Sequence, residues 1–332
     1  MSELIKVKNR LGMEVTFSPI GASIFDIKIP TKNGNISVTV HPQNVAEFNV
    51  STGHFGKTIG RNAGRIRHGK FVINKQEYQI GAGESAGLHG GNDGLSFKEF
   101  NFAQHTNMFA TIIIFSYLSP HLESGFPGNA HIQVTYQIPH LINRIDIVYH
   151  AFSNQDTIMN LSNHVYWNLN GDDDILNHLL GIKALKFAEV DECLCPKSIC
   201  PVSQVMDFRQ LHKVGDYIKN PYLTPTDGYN HPYILNPDEK EVRPVAQLIG
   251  DKSHITMTLY SDYPILIFYS GNVASLDITN HHTPFLKHQG LALECQYLPN
   301  AMNNAFDQEK TGILPAETNY HQQITYLFSS LE

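Results

Sequence analysis

Charge is scarce in this 332-residue chain, at 17% of residues, and basic side chains are the scarcer kind: 24 Lys and Arg against 31 Asp and Glu, a net charge of −7. Nucleic-acid binding draws its affinity from clustered cations facing phosphates, so a nucleic-acid partner is set aside. No run approaches the ~20 apolar residues that span a bilayer, and the opening MSELIKVKNRLGMEV lacks the apolar core of a secretion signal. These absences predict a soluble, cytoplasmic protein with no membrane partner. There are four cysteines, three of them in DECLCPKSIC (191–200). Their spacing is C-x-C followed by four residues, with no paired CxxC and no His, so they read as free thiols and not as a metal site.

Long helical periodicities are also missing, which excludes a parallel α/β fold needing a helix after each strand. Short stretches such as DFRQLHKVGDYI (207–218) have helical potential. What the chain has instead is strands. ATIIIFSYL (110–118), AHIQVTYQI (130–138) and NRIDIVYHAF (143–152) are β-branched and aromatic runs separated by Gly, Pro, Asn and Ser clusters. HITMTLYSDYPILIFYSGN (254–272) holds two more runs, the first alternating Ile255, Met257 and Leu259 against Thr256, Thr258 and Tyr260. No linker, repeat or low-complexity segment divides them. The pattern predicts one large all-β domain over residues 1–332, built of antiparallel strands.

Two motif matches fail on their context. GRIRHGKF (64–71) is one residue from a phosphate-cradling loop, but Phe71 replaces the Ser or Thr that would hold magnesium, and KFVINKQEYQI after it reads as a strand. GESAG (83–87) fits the pattern of a serine nucleophile elbow, yet LHGGNDG follows where a helix is required. A hydrolase built on Ser85 is therefore a minor alternative.

SNHVYWNLNG (162–171) is different. As a regular strand it puts Asn160, Ser162, His164, Tyr166 and Asn168 on one face and Leu161, Val165, Trp167 and Leu169 on the other. The first face is polar but uncharged, which suits hydroxyl binding in a cleft better than exposure to bulk water. GLALECQYLPN (290–300) behaves similarly: Leu291, Leu293 and Cys295 share one face, and Ala292, Glu294 and Gln296 the other. Glu294 is the only charged residue in that stretch. A carboxylate enclosed in this way holds its proton more tightly, as a general base working near neutral pH requires. GLHGG (87–91) sets His89 among glycines that allow close approach of backbone to a ligand. GRNAGRIRHGKF offers Arg61, Arg65 and Arg67, one of which could give its planar fork to sugar hydroxyls while the others stay solvated. No metal-binding spacing and no cofactor fingerprint accompanies these groups.

Taken in order, these blocks resemble the galactose mutarotases, or aldose 1-epimerases. GRNAGRIRHGKF with EYQI, GLHGG with Lys98 and Phe100, SNHVYWNLNGD, VDECLCPKSICPV with DFR, DGYNHPYIL, IFYSGN and LALECQYLPNAMN carry the resemblance across nearly the whole chain. It implies a large antiparallel β-sandwich with an open sugar cleft, and no cofactor. It puts the general base on Glu294 and the general acid on His164, and it gives Arg65 and His89 to the sugar, His89 near the reacting end. Tyr166 and Gln296 join the expected substrate-binding set from the two polar faces. The family's usual Asp in the GYNHPY block is Asn230 here, which keeps hydrogen bonding but loses charge; Asp227 is not a simple replacement. Gly64 stands where the family often has Asn.

The activity this implies is interconversion of the α and β anomers of a free hexose such as galactose or glucose. It needs one group to take the proton from the C1 hydroxyl and another to protonate the ring oxygen. Glu294 would start ionised and His164 protonated, a mutually supportive pair if they face each other. The alternative is a sugar-binding protein of the same fold with weak or no turnover, suggested by Asn230.

Overall fold

The computed structural model describes residues 4–81, 87–235, 241–273, 285–303 and 311–330. Two antiparallel sheets dominate. The larger has nine strands, in the order His212–Lys213, Leu179–Ile182, Arg243–Ile249, Ile255–Ser261, Asn319–Ser330, Arg144–Ser153, Ala130–Pro139, Ala110–Ser119 and Asn101–Thr106. The smaller has seven: Pro196–Pro201, Ala184–Val190, Asn230–Leu235, Ile265–Tyr269, Leu291–Gln296, Tyr166–Trp167 and Thr39–Val40. A four-stranded sheet, Ile5–Lys8, Glu14–Ser18, Ser23–Thr31 and Gly34–Ser37, packs beside them. The all-β sandwich expected of the sequence is what forms, and the three long runs at 110–152 pair as consecutive neighbours.

Alternation explains the layering. In Leu291–Gln296 the odd-numbered Leu291, Leu293 and Cys295 enter the main core, where they join Tyr233, Leu266 and Phe268 from the neighbouring strands. Against them the nine-stranded sheet sends Ile113, Val134, Ile147, Tyr149, Met257, Leu259 and Tyr326. Each fully buried large side chain contributes roughly 1.5–3 kcal/mol of apolar burial, so this interior fixes the pairing of the sheets. Trp167 lies in it, fully buried, with its indole edge-on to Tyr326 at 4.7 Å between ring centres.

Three local expectations change. SNHVYWNLNG is two short strands, Ser162–Asn163 and Tyr166–Trp167, in different sheets, joined through His164 and Val165. KFVINKQEYQI is a hairpin, Lys70–Ile73 with Gln76–Gln79, because Asn74 and Lys75 adopt left-handed φ values of 52° and 67°. DFRQLHKVGDYI forms no helix; His212–Lys213 pairs with Leu179–Leu180 at the sheet edge instead, and Gly215 begins a turn. Among the described residues the one α-helix is Val45–Val50, capped by the Asn44 side chain, and no helix is long and apolar enough to cross a membrane.

Candidate active site

A cavity of about 290 Å³ opens on the outer face of the seven-stranded sheet. Its floor is read directly from strand register. Ile267 sits opposite both Pro232 and Glu294, and Tyr269 sits opposite both Asn230 and Ala292, with Tyr166 opposite Ala292 in turn. Two cross-strand rows therefore present Pro232, Ile267 and Glu294, then Asn230, Tyr269 and Tyr166, to one space. Loops supply the rim: Gly53–His54, Gly64–Arg65, Leu88–His89, Leu194, Thr226–Asp227 and Asn272–Val273.

Of the residues expected at the site, Arg65, His89, His164, Tyr166, Asn230 and Glu294 line this cavity, and Gln296 does not. Gln296 shares the face of Glu294 but belongs to the next row, opposite Ile265. There Gln296 is fully buried, with its amide beside Gly64. Ser162 and Asn168 also leave the polar face assigned to them. Ser162 is buried away from the cavity, and the Asn168 amide donates to the carbonyls of Asp172, Asp173 and Gln289, holding a turn. Ser85 lies outside the described residues. Asp227 lines the rim as well as Asn230, with its carboxylate 2.6 Å from Lys287 Nζ.

The three arginines separate. Arg65 reaches the cavity half-buried, and burial lowers its proton affinity slightly from the ordinary range. Arg67 is ion-paired with Asp191. Arg61 is neither solvated nor a ligand: it is 2% exposed and its guanidinium donates to Ser119 Oγ, Ser119 O, Pro127 O and Gly128 O. Burial pushes it down to about 10, still charged at neutral pH. All four cysteines are free; Cys195 is buried and Cys193 exposed.

His89 is clamped to Gly64 twice. Its backbone N–H donates to Gly64 O at 2.9 Å, and the Gly64 N–H donates to its Nδ1 at 3.2 Å. Gly64 has φ 78°, and a Cβ there would lie 2.8 Å from both Gln296 Nε2 and Pro299 Cγ, so glycine is what this crossing admits. Burial first, then the neighbouring His54, His164 and Arg65, hold the His89 imidazole neutral. A neutral ring that accepts at Nδ1 carries its proton on Nε2. His89 is thereby set as a hydrogen-bond donor.

His164 and Glu294 form the centre. Glu294 Oε1 is 3.5 Å from His164 Nε2, with side-chain exposures of 4% and 6%. Burial pushes the Glu294 carboxyl up to about 8 and the His164 imidazole down to about 4. Desolvation thus opposes the expected pair of opposite charges and favours neutral acid beside neutral imidazole. The two forms hold the same single proton, so one converts to the other by internal transfer, with nothing taken from solvent.

His89, His164 and Glu294 each bring a potential ligand atom within 4.8 Å of the others. A metal would need a lone pair from each at about 2.0–2.2 Å. The Gly64 N–H occupies the Nδ1 lone pair of His89 and leaves a proton on Nε2, so this cluster suits proton transfer and hydroxyl binding better than coordination.

His54 and Tyr269 were not singled out in the sequence. His54 carried a signal, a His after Gly in TGHFG just ahead of GRNAGR, and Tyr269 is at the end of the apolar run ILIFY.

A family model described as aldose 1-epimerase matches residues 3–326. The aldose 1-epimerase of Escherichia coli K12 is 28% identical over 309 residues, 91% of this chain and 88% of that protein. The galactose mutarotase of Rattus norvegicus is 31% identical over 257 residues, 75% of this chain and 72% of that one. Among solved structures, an aldose epimerase homologue from Caenorhabditis elegans superposes with a TM-score of 0.87 at 26% identity, covering all of both chains.

Proposed function

The chain belongs to the aldose 1-epimerase family, and from that membership we propose that it is a mutarotase, interconverting the α and β anomers of free hexoses such as galactose or glucose. The observation that carries the reading is the buried approach of Glu294 to His164, 3.5 Å apart in a cavity lined with hydrogen-bonding side chains.

The two oxygens on C1 of a pyranose are geminal, so a base and an acid standing side by side can serve both. Glu294, as carboxylate, removes the proton from the C1 hydroxyl while His164, as imidazolium, protonates the ring oxygen. The C1–ring oxygen bond breaks and the aldehyde forms. Rotation about C1–C2 and reversal of both transfers closes the ring on the other face. His89, with its proton fixed on Nε2, donates to an oxygen at the reacting end, and Arg65, Asn230 and Tyr166 hold the remaining hydroxyls. Hydrogen bonds from the sugar's oxygens to the pair favour the ionised arrangement that burial by itself disfavours.

Residues 1–332 are taken as one catalytic domain acting in the cytoplasm, without cofactor, nucleic-acid or membrane partner. The test is polarimetry of freshly dissolved α-D-galactose and α-D-glucose. Acceleration by the protein that disappears in Glu294→Gln supports the reading; acceleration that survives this change, or saturable binding with no acceleration, refutes it.

A further inference from the structure

His54 is a third imidazole in the cavity wall that the mechanism above does not use. Its ring stands 4.9 Å from that of His89, at 68°, and 6.0 Å from that of His164, while Phe97 backs it at 5.6 Å. Its Nδ1 is 2.9 Å from Ser96 Oγ, which fixes the ring and leaves Nε2 as its remaining polar atom. The backbone is held at φ 55°, in the left-handed region that non-glycine residues adopt at a cost, and the Lys57 N–H closes a turn on its carbonyl at 3.0 Å. A strained backbone, an anchored ring and a place in the cavity wall together describe a side chain held for a ligand.

Order along the wall identifies which part of the sugar it meets. Glu294 touches His164, and His54 stands beside both His164 and His89. With Glu294 at the C1 hydroxyl and His164 at the ring oxygen, the next atom of a pyranose in that direction is C5, which bears the C6 hydroxymethyl group. Resting on the mutarotase reading of the site, we propose that His54 is a further substrate-binding residue whose Nε2 hydrogen-bonds the C6 hydroxyl of a hexose.

The test is calorimetric binding of D-galactose and of 6-deoxy-D-galactose to the wild type, His54→Asn and His54→Phe. Asn tolerates the left-handed backbone and is too short to replace the ring, and Phe keeps the ring without the nitrogen; a thermal melt confirms that at least one is folded. Loss of one neutral hydrogen bond should weaken galactose binding roughly 2- to 10-fold in either variant. Binding of the 6-deoxy sugar should be unchanged, and mutarotation of galactose should show a raised KM with kcat nearly kept. Equal weakening of both sugars, or no effect on either, overturns the proposal. A wild type that binds galactose through His54 yet fails to accelerate mutarotation refutes the enzymatic reading alone. An active wild type whose variants bind both sugars normally refutes the role of His54 alone.

Discussion

Glu294 Oε1 lies 3.5 Å from His164 Nε2, and burial disfavours charge on either side chain. The pH dependence follows from that relationship. Below about 4 a second proton arrives and the base is lost; above about 8 the only proton leaves and the acid is lost. Between them the singly protonated pair persists, so kcat/KM should be level from about pH 5 to about pH 7 and fall on both sides. Polarimetric rates across that range check it. A limb centred near 6.5, the ordinary imidazole value, would show His164 titrating alone.

Removing either member should be costly, and removing both little worse. Glu294→Gln and His164→Asn are each expected to lower kcat by about 10²–10⁴, the usual contribution of a positioned proton-transfer group. The double variant should fall well short of the product of the two losses, since they act as one unit. Additive effects on the logarithmic scale would mean that they act independently.

The same burial should make Glu294 a liability to stability in alkali. Its carboxyl titrates near 4.5 when unfolded and near 8 when folded, so between these values the folded chain holds a proton that the unfolded chain has released. Stability therefore falls as pH rises through this window and the whole penalty is present above about 8. Glu294→Gln carries no such proton. Its Tm advantage over the wild type should widen from pH 5 to pH 9, by roughly 2–4 °C for each kcal/mol relieved. Thermal melts across the range decide it, and a constant difference would be inconsistent with the shift.

Arg61 and Arg65, four residues apart, should fail in opposite ways. Arg61→Lys deprives Ser119, Pro127 and Gly128 of a planar multi-donor partner and should destabilise by about 3 kcal/mol or more, since hydrogen bonds to charged groups are the strong ones. Arg65→Met, at the cavity, should keep its Tm and raise KM for galactose. Denaturation midpoints and KM values measured on both variants separate the two roles.

The strands were legible because period-two alternation survives wherever one face is core and the other is not, as in Ile255–Ser261. The same alternation located Glu294 and its face. It could not say that Gln296, two residues along that face, is fully buried beside Gly64, because Gly64 belongs to a loop whose path no periodicity records. His164 was found for a partly mistaken reason. The strand that was to display it is two strands of different sheets, and His164 lies between them, with Val165 and Trp167 in the core and His164 and Tyr166 at the cavity. Arg61 and Arg65 carry the same chemistry at nearly the same place in the sequence, and only the packing of Ser119 and Gly128 around one of them tells them apart. His54 escaped notice because it belongs to a loop and its meaning comes from neighbours 35 and 110 residues away, His89 and His164.

The two rows of the cavity floor have a consequence for how this site tolerates change. A slip of Leu291–Gln296 by one residue against Ile265–Tyr269 would put Cys295 under the sugar and bury Glu294 in the hydrocarbon interior, because a strand shifted by one place exchanges its faces. Hydrogen-bond pairing between these strands thus works as a vernier that sets the base in steps of a whole residue, with no intermediate stops. The rim, carried on loops, has no such lock. Insertions and exchanges at Thr226–Asp227 or around His54 can reshape what enters while the scale beneath them keeps its zero.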